Sequence, residues 1–312
     1  MWPTRPNAMA QLERLYQLRR YDEAEDKMAF LTKYGPSCLA VATNGHVELS
    51  EKHLQHLSSI GIVSSSSAGF EKIDTKALQS RGILLTNTSI ALRDDVADAV
   101  IMLTLACRRQ LVAAHNYVQM ADWGVKGMYP LTSGLRGKRA GIFGLGSIGQ
   151  AIADRYSVMG LEIGYHSRTP KANNYTYFSS LKELSMWSDI LVAVVPGGAE
   201  TKGVIDHDVL RALGQSGTFI NVSRGSVVNE TALITALEKG WIANAGLDVF
   251  WDEPTPNPRL TGAPNVTLYP HHASGTAETR DAMAQLMVDN LKAFFNGEKV
   301  LTPVYELTEA VK

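Results

Sequence analysis

Residues Ala140–Gln150 read Ala-Gly-Ile-Phe-Gly-Leu-Gly-Ser-Ile-Gly-Gln, an apolar run that leads into three glycines spaced G-x-G-x-x-G. Apolar residues recur beyond them at helical spacing. A strand, a tight turn and a helix in this order are typical of a dinucleotide-binding site. Gly144 permits the turn, Gly146 lets a pyrophosphate approach the backbone, and Gly149 lets the helix pack on the strand. The stretch predicts phosphate binding at a helix N-terminus; a glycine turn in some other βα unit is the alternative.

The composition of the chain limits its size class and its partners. Its 312 residues suffice for about two domains. The 30 basic and 31 acidic residues include no basic block, which argues against a nucleic-acid partner. Cys38 and Cys107 lie in apolar runs, so we expect no disulfide framework, no metal and a reducing cytoplasm. We find no apolar run of membrane-spanning length, and we expect no membrane association.

The N-terminal third of the chain alternates between short apolar runs and helical patterns. Strands are predicted at Leu12–Leu18, Cys38–Ala42, Ile60–Val63 and Ile83–Leu85, and helices at Glu23–Tyr34, 50–57 and 74–79. Strands that alternate with helices predict a parallel, doubly wound sheet.

The segment 92–118 is predicted to form one long helix that leads into a second domain. Buried strands are predicted there at Leu161–Tyr165, Ile190–Val195, Phe219–Val222, Ala245–Val249 and Val266–Leu268, and a final helix near Asp281–Asn296. We therefore predict an α/β fold with two Rossmann-like, doubly wound parallel-sheet domains. Residues 1–98 and 282–312 would form the substrate-binding domain, and residues 99–281 the dinucleotide-binding domain.

The end of the second strand of the dinucleotide-binding domain bears on the choice of cofactor. An NAD enzyme usually has a carboxylate there, which binds the ribose 2′-hydroxyl. This chain has Ser167, Arg168 and Thr169 instead. Arg168 is suited to a 2′-phosphate, to which the two hydroxyls would donate hydrogen bonds. NADPH is the predicted cofactor, and the alternative is that Arg168 stacks on adenine and NADH serves equally.

Three residues that follow predicted strands form a possible acid–base and anion-binding set. Arg224 precedes a glycine, and its guanidinium is suited to a carboxylate. His271 follows a proline and can supply a proton near neutral pH. Glu253 would hold the imidazole and favour its protonated form. Each of these residues alone is more often structural, so the prediction rests on their occurrence together beside a nucleotide site.

These residues lie in motifs that resemble those of the D-isomer-specific 2-hydroxyacid dehydrogenase family over nearly the whole chain. The motifs are Ser67–Asp74, Arg81–Ile83, Asn87-Thr88, Asp94–Asp98, Leu135–Lys138, Gly144–Gly149, Asn221–Gly225, Gly246–Phe250, Glu253-Pro254 and Pro270–Gly275. The branch that this chain is most similar to is that of the NADPH-dependent glyoxylate/hydroxypyruvate and hydroxyphenylpyruvate reductases. The resemblance implies two Rossmann-like domains with a cleft between them, and a substrate domain built from both termini.

The resemblance also implies a role for each matching residue. Arg224 would bind the 2-oxo acid carboxylate and polarise the carbonyl, while His271, paired with Glu253, would protonate the carbonyl oxygen. Asp248 would contact the nicotinamide carboxamide. The remaining expected contacts are Leu145, Ser147, Ile148, Val195, Pro196, Thr201, Val222, Ser223 and Ser274 for the cofactor, and Asn44, Gly45, Ser67, Ala68 and Gly69 for the substrate. Trp251-Asp252, Gly197-Gly198 and His272 depart from the usual family residues.

The predicted reaction is the NADPH-dependent reduction of glyoxylate or hydroxypyruvate to the D-2-hydroxy acid, with NADH possible as cofactor. Aryl pyruvates and 2-ketogluconate are alternative substrates of the same site. A nucleotide-sensing, corepressor-like protein is the alternative from another class, but the short tails and the intact Arg224, Glu253 and His271 set argue against it. The resemblance also implies a homodimer, formed around the region of Trp123.

Overall fold

The computed structural model describes residues 4–307, which fall into two compact units. The first unit runs up to Leu92 and resumes at Gly275, and the second comprises Arg93–Ser274. The predicted boundaries at 98/99 and 281/282 lie inside the helices Arg93–Arg108 and Ala277–Phe295. Residues 1–3 and 308–312 of the predicted substrate domain lie outside the described residues.

The first unit contains three parallel strands in the order β1-β2-β3. The strands are β1 (Ala40–Thr43), β2 (Ile62–Ser65) and β3 (Leu84–Thr86); the helices are α1 (Pro6–Leu15), α2 (Lys27–Tyr34), α3 (Glu51–Leu54), α4 (Thr75–Ser80) and α13 (Ala277–Phe295). Short 3-10 turns lie at Tyr21–Glu23 and Gly35–Ser37. Strand β2 is buried along its whole length, whereas β1 is only partly buried.

The predicted strand at Leu12–Leu18 is wrong, because α1 continues to Leu15. Pro6 lies at the first helical position, where its missing N–H costs no hydrogen bond. Ala8 and Leu12, one helical turn apart, are buried against the same apolar cluster as α13. Packing on one helical face therefore decides the conformation of this mixed apolar segment.

The second unit contains a seven-stranded parallel sheet in the order β10-β9-β8-β7-β4-β5-β6. Its strands are β4 (Arg139–Phe143), β5 (Glu162–His166), β6 (Thr176–Tyr177), β7 (Ile190–Ala193), β8 (Thr218–Asn221), β9 (Asn244–Leu247) and β10 (Val266–Leu268). Its helices are α5 (Arg93–Arg108), α6 (Leu111–Gln119), α7 (Asp122–Lys126), α8 (Ser147–Val158), α9 (Leu181–Trp187), α10 (His207–Leu213), α11 (Glu230–Glu238) and α12 (Pro258–Thr261), with a 3-10 turn at Gly225–Val227. The predicted α/β class with parallel sheets is confirmed.

The strand order of this sheet identifies the edge at which ligands bind. The chain moves outward from β4 to β5 and β6, then crosses back to β7 on the other side of β4. Ligands of open α/β sheets bind beyond the carboxyl ends of the strands at such a reversal. The turn after β4 begins at Gly144, so the glycine motif lies at this position.

The predicted single helix over 92–118 is also wrong, because the chain turns between α5 and α6. Gln110 adopts a left-handed conformation with φ of 50°. Arg108 anchors the end of α5 by donating hydrogen bonds to the Gly134 carbonyl (3.2 Å) and to Thr218 Oγ1 (3.4 Å). Helix α5 is largely buried, whereas no residue of α6 is buried. Helical periodicity continues through this point although the environment changes.

None of the helices in residues 4–307 combines the length and the apolar character needed to cross a membrane.

Candidate active site

The turn after β4 has three glycines in three different environments. Gly144 has a φ of +105°, and a Cβ there would lie 2.9 Å from the Val194 carbonyl oxygen. A Cβ on Gly149 would lie 2.1 Å from the Gly144 carbonyl oxygen, so helix and turn touch backbone to backbone. A Cβ on Gly146 would meet no heavy atom within 4 Å. The first and third glycines therefore serve packing, and the second borders open space into which a ligand fits.

The helix that follows this turn presents unpaired donors to the same space. Gly146 is the N-cap of α8 and has no side chain with which to cap it. Within residues 4–307, the amides of Ser147, Ile148 and Gly149 donate to no protein acceptor. Three unpaired amides at the positive end of a helix dipole favour an anion. The turn and α8 thus fit the pyrophosphate of a dinucleotide.

The segment after β5 has a more constrained geometry than expected. The sequence predicts that the Ser167 hydroxyl donates to a phosphate. In the structure it donates to the Thr169 carbonyl at 2.7 Å, so its proton closes the turn instead. Tyr177 donates to the Ser167 carbonyl at 3.3 Å. Arg168 is exposed and pairs with no carboxylate in the described part of the chain. Arg168 is therefore the residue of this turn that is available to a second anion.

His166, for which no role was predicted, joins the two turns. Its carbonyl accepts a hydrogen bond from the Gly144 amide at 2.9 Å. Its ring stacks on Phe143, with centroids 5.8 Å apart, and its Nδ1 lies 2.8 Å from the Phe178 carbonyl oxygen. These contacts fix the ends of β4 and β5 against each other. The sequence signal was its position directly before Ser167.

Asn221 shapes the loop that carries Arg224. Asn221 Oδ1 accepts hydrogen bonds from the Ser223 amide (3.0 Å) and hydroxyl (2.7 Å), and Nδ2 donates to the Arg224 carbonyl (3.1 Å). The Arg224 Nη1 donates to the Ser223 carbonyl at 2.7 Å. A buried side-chain amide thus takes the place of secondary structure and holds this loop in one conformation.

Gly225 brings the Arg224 loop into backbone contact with the loop of Glu253. A Cβ on Gly225 would lie 2.0 Å from the Phe250 carbonyl carbon and 2.4 Å from the Trp251 amide nitrogen. The Trp251 indole donates to the Val228 carbonyl at 2.7 Å and holds the same two segments together. The glycine is required here by close approach, since any side chain would push the two loops apart.

Glu253 and His271 form a hydrogen-bonded pair. His271 Nδ1 lies 2.7 Å from Glu253 Oε2, and the other carboxylate oxygen accepts the Phe250 amide at 3.0 Å. Burial favours the neutral acid, but the hydrogen bonds from His271 and Phe250, together with the charges of His271 and Arg224, hold the pKa of Glu253 below its usual value. Glu253 is therefore ionised at neutral pH, and Arg224 lies within electrostatic range of it.

Asp248 supports the segment that carries His271. The carboxylate is buried, at 2 % exposure, and accepts hydrogen bonds from the amides of His272 (2.7 Å) and Ala273 (3.3 Å). Its carbonyl accepts the His271 amide at 2.7 Å, and His271 has a φ of +49°. Burial raises the pKa of Asp248 despite these two amides. The predicted role of Asp248 was a cofactor contact alone; its contact with the His271 segment was not predicted, because it joins residues distant in the sequence.

The other predicted cofactor residues of the second unit surround the same strand ends. Leu145 is buried behind the glycine turn, and Val222 and Ser223 are buried in the Arg224 loop. Val195 and Pro196 follow β7, and the Thr201 hydroxyl donates to the Pro196 carbonyl at 2.7 Å. Ser274 ends the second unit.

The predicted substrate residues of the first unit lie in two loops that touch each other. A Cβ on Gly45, which follows Asn44 at the end of β1, would lie 1.9 Å from the Gly69 carbonyl oxygen. The Ser67 carbonyl accepts the Thr88 amide at 3.0 Å, and the Ala68 carbonyl accepts Asn87 Nδ2 at 3.1 Å. In the described part of the chain the amides of Ala68 and Gly69 donate to no acceptor. These loops therefore offer two unpaired donors from a fixed backbone.

Comparison with known proteins shows similarity along nearly the whole chain. The family model described as "D-isomer specific 2-hydroxyacid dehydrogenase, NAD binding domain" matches residues 101–273. A hydroxyphenylpyruvate reductase of Plectranthus scutellarioides is 42% identical, and a glyoxylate/hydroxypyruvate reductase of Arabidopsis thaliana is 41% identical, each over 94% of both chains. The solved NADPH-dependent glyoxylate/hydroxypyruvate reductase of Sinorhizobium meliloti, in complex with NADP and malonate, is 39% identical with a TM-score of 0.87, covering 97% of this chain and 94% of its own.

The glycine turn yields a test that separates ligand contact from packing. We expect Gly146→Ala to keep the wild-type Tm and to weaken NADPH binding by roughly tenfold or more, because its Cβ enters only ligand space. Gly149→Ala is the matched control and should lower Tm, since its Cβ meets the Gly144 carbonyl. Thermal unfolding and fluorescence titration with NADPH measure both effects. Unchanged NADPH affinity in Gly146→Ala would contradict this placement of the phosphates.

Proposed function

The chain belongs to the D-isomer-specific 2-hydroxyacid dehydrogenase family and is an oxidoreductase, and we propose that it reduces glyoxylate or hydroxypyruvate to the 2-hydroxy acid with NADPH. The observation that carries the proposal is the 2.7 Å pair of Glu253 and His271, within electrostatic range of Arg224. A proton donor, its carboxylate partner and an anion-binding guanidinium lie in the same unit as a turn suited to a dinucleotide. The products are D-2-hydroxy acids where the product is chiral.

His271 is proposed to supply the proton. A hydrogen bond from Nδ1 to Glu253 leaves Nε2 as the nitrogen that faces outward from the pair. A protonated ring then donates from Nε2 to the carbonyl oxygen of the substrate, while the ionised Glu253 stabilises the imidazolium before transfer. The bound nicotinamide supplies the hydride that the carbonyl carbon receives. One proton on oxygen and one hydride on carbon give the alcohol.

Arg224 is proposed to bind the carboxylate of the 2-oxo acid and to polarise its carbonyl. A guanidinium presents a planar pair of donors that matches a carboxylate. The Asn221 contacts and Gly225 fix its loop, so the donors are positioned before substrate arrives. We also assign the unpaired amides of Ala68 and Gly69, in the loops with Asn44, Gly45 and Ser67, to substrate carboxylate binding.

NADPH is proposed as the preferred cofactor because of Arg168. The arginine is exposed at the end of β5, forms no described ion pair, and follows the position where NAD enzymes usually have a carboxylate. The similar Sinorhizobium meliloti enzyme is described as NADPH-dependent and was solved with NADP. Asp248 and the loops of Val195, Pro196 and Thr201 are assigned to the nicotinamide end.

Aryl pyruvates are the second candidate substrates. The specific observation in their favour is the relative from Plectranthus scutellarioides, a hydroxyphenylpyruvate reductase. A sugar acid such as 2-ketogluconate would use the same carboxylate and carbonyl contacts. All three classes share the 2-oxo acid group on which Arg224 and His271 are proposed to act.

A homodimer is proposed from the segment that follows α5. Helices α6 and α7 have no buried residue. Large apolar side chains are exposed along this segment, at Leu111, Val112, Val118, Met120, Trp123, Val125, Met128 and Leu131. Many large apolar side chains exposed along one segment are typical of a protein interface. A second copy of the chain is the proposed partner, in agreement with the dimer that the family resemblance implies.

A cytoplasmic location remains our expectation from the two free cysteines.

The proton donor is tested by replacing His271 with a residue that keeps its backbone. Asparagine tolerates a positive φ, so His271→Asn should fold normally and lower kcat for glyoxylate by roughly a hundredfold or more. The NADPH dissociation constant should stay within about threefold of wild type. His272→Ala is the control, because only the His272 amide contacts Asp248. Near-normal turnover of His271→Asn would refute the assignment.

The cofactor assignment is tested at Arg168. Arg168→Ala removes a charge-assisted contact and should raise the KM for NADPH by roughly tenfold or more, with the KM for NADH within about twofold. Arg136→Ala, another exposed arginine of the same unit, should change neither constant. Steady-state kinetics with NADPH and with NADH measure the two KM values for each variant. An equal rise for NADPH and NADH would argue against a 2′-phosphate contact.

A further inference from the structure

The segment that carries Glu253 has no regular secondary structure of its own. Residues 249–257 belong to neither a helix nor a strand, and residues 251–255 are exposed. Among residues 4–307, no backbone hydrogen bond joins residues 251–256 to another backbone group. A segment of this kind samples several conformations unless side chains hold it. The position of Glu253 beside His271 therefore depends on side-chain contacts.

Two side chains hold this segment to the rest of the second unit. Glu253 Oε2 lies 2.7 Å from His271 Nδ1, and the Trp251 indole donates to the Val228 carbonyl at 2.7 Å. In the part of the chain that the structure describes, residues 251–256 form one further hydrogen bond, which joins Glu253 to the Phe250 amide. The Trp251 contact is therefore the anchor of the segment that does not involve the proposed reacting groups.

The Val228 carbonyl, which accepts this hydrogen bond, belongs to a backbone that is itself fixed. Val228 is buried, and its amide donates to the Gly225 carbonyl at 3.1 Å. It forms a parallel bridge with Ile205, and the next residue, Asn229, caps α11. The Trp251 indole thus binds a buried group whose position is defined by contacts on both sides in the sequence.

A cation lies over one face of the Trp251 ring. Lys202 Nζ is 5.8 Å from the ring centroid, a distance at which a cation attracts an aromatic face. The Gly203 amide donates to the Ser226 carbonyl at 2.8 Å, which fixes the backbone beside Lys202. The indole therefore contacts both the backbone that follows Arg224 and the loop proposed for the nicotinamide end.

The chemistry of Trp251 points to support and not to proton transfer. An indole has one N–H donor and no acceptor, and the Val228 carbonyl occupies that donor. Trp251 is also one of the residues at which the chain departs from the usual family sequence. Its contacts are thus a feature of this chain that the proposed reaction leaves without a role.

We propose that Trp251 is a positioning residue, which holds the carboxylate of Glu253 against the imidazole of His271. The indole fixes the backbone two residues ahead of Glu253. The Phe250 amide then orients one carboxylate oxygen, which leaves the other for His271. An anchored segment has this geometry before substrate binds, as preorganised sites require. The inference rests on the proposed function, because it assigns Trp251 to the proton donor of that reaction.

Hydrogen exchange tests the anchor without any reaction. Trp251→Phe keeps an aromatic ring beside Lys202, removes the N–H and leaves the buried Val228 carbonyl without its donor. We expect the Phe250 amide, which donates to Glu253, to exchange roughly fivefold faster or more, because the segment opens more often.

Trp241→Phe is the matched control for the loss of an indole. The Trp241 ring also lies beside a cation, with the Arg211 guanidinium 4.0 Å from its centroid. Among the described residues, however, its indole N–H donates to no acceptor. Trp241→Phe should therefore leave both the exchange of the Phe250 amide and kcat at their wild-type values.

A double-mutant cycle separates positioning from a general loss of stability. Trp251→Phe should lower kcat for glyoxylate with NADPH by roughly fivefold, with the KM for NADPH within about twofold of wild type. In a chain that already carries Glu253→Ala, the same change should leave kcat within about twofold, because no carboxylate remains to be positioned. A tryptophan that only supports the fold would lower kcat by the same factor in both backgrounds.

The outcomes distinguish this inference from the proposed function. If the wild-type chain oxidises NADPH with no 2-oxo acid, the proposed function fails, and exchange of the Phe250 amide alone decides whether Trp251 anchors the segment. If Glu253→Ala is slow but Trp251→Phe keeps the wild-type kcat and exchange rate, the positioning role is overturned and the proposed function stands. An equal loss of kcat in both backgrounds of the cycle also overturns the positioning role.

Discussion

The hydrogen bond between Glu253 and His271 depends on close packing between backbone segments that are far apart in the sequence. Gly225 leaves no space for a side chain beside Phe250, so the loop of Arg224 and the loop of Glu253 lie directly against each other. The Phe250 amide then binds one oxygen of Glu253, and His271 binds the other. A larger residue at position 225 would separate the guanidinium from the carboxylate and the imidazole.

Close backbone packing also determines the geometry of the glycine turn. Gly144 and Gly149 bring the turn after β4 against its neighbours, while Gly146 borders open space. Buried Asp248 fixes the backbone of the His271 segment with both of its carboxylate oxygens. The second unit thus has the turn suited to a dinucleotide and the proposed proton donor at the ends of parallel strands, as preorganised sites require.

Local sequence patterns predicted the features that backbone sterics determine. They failed for elements whose conformation depends on burial against residues far away in the sequence. The glycine turn was predictable because its spacing expresses a steric requirement within a few residues. The break at Gln110 was not, because periodicity continues from buried α5 into exposed α6. Leu12–Leu18 was misassigned because its helical face is defined by contact with α13, at the other end of the chain. The role of Asp248 beside His271 and the internal bond of Ser167 required coordinates, since the same sequence permits contacts to a ligand.

The most direct test of the proposed reaction is the rate of NADPH oxidation by the purified chain, followed by absorbance with glyoxylate, hydroxypyruvate, pyruvate, phenylpyruvate and 2-ketogluconate, and repeated with NADH. We expect glyoxylate or hydroxypyruvate with NADPH to give the highest kcat/KM of the panel. If none of the 2-oxo acids oxidises either cofactor, the assignment of Arg224, Glu253 and His271 to 2-oxo acid reduction is contradicted.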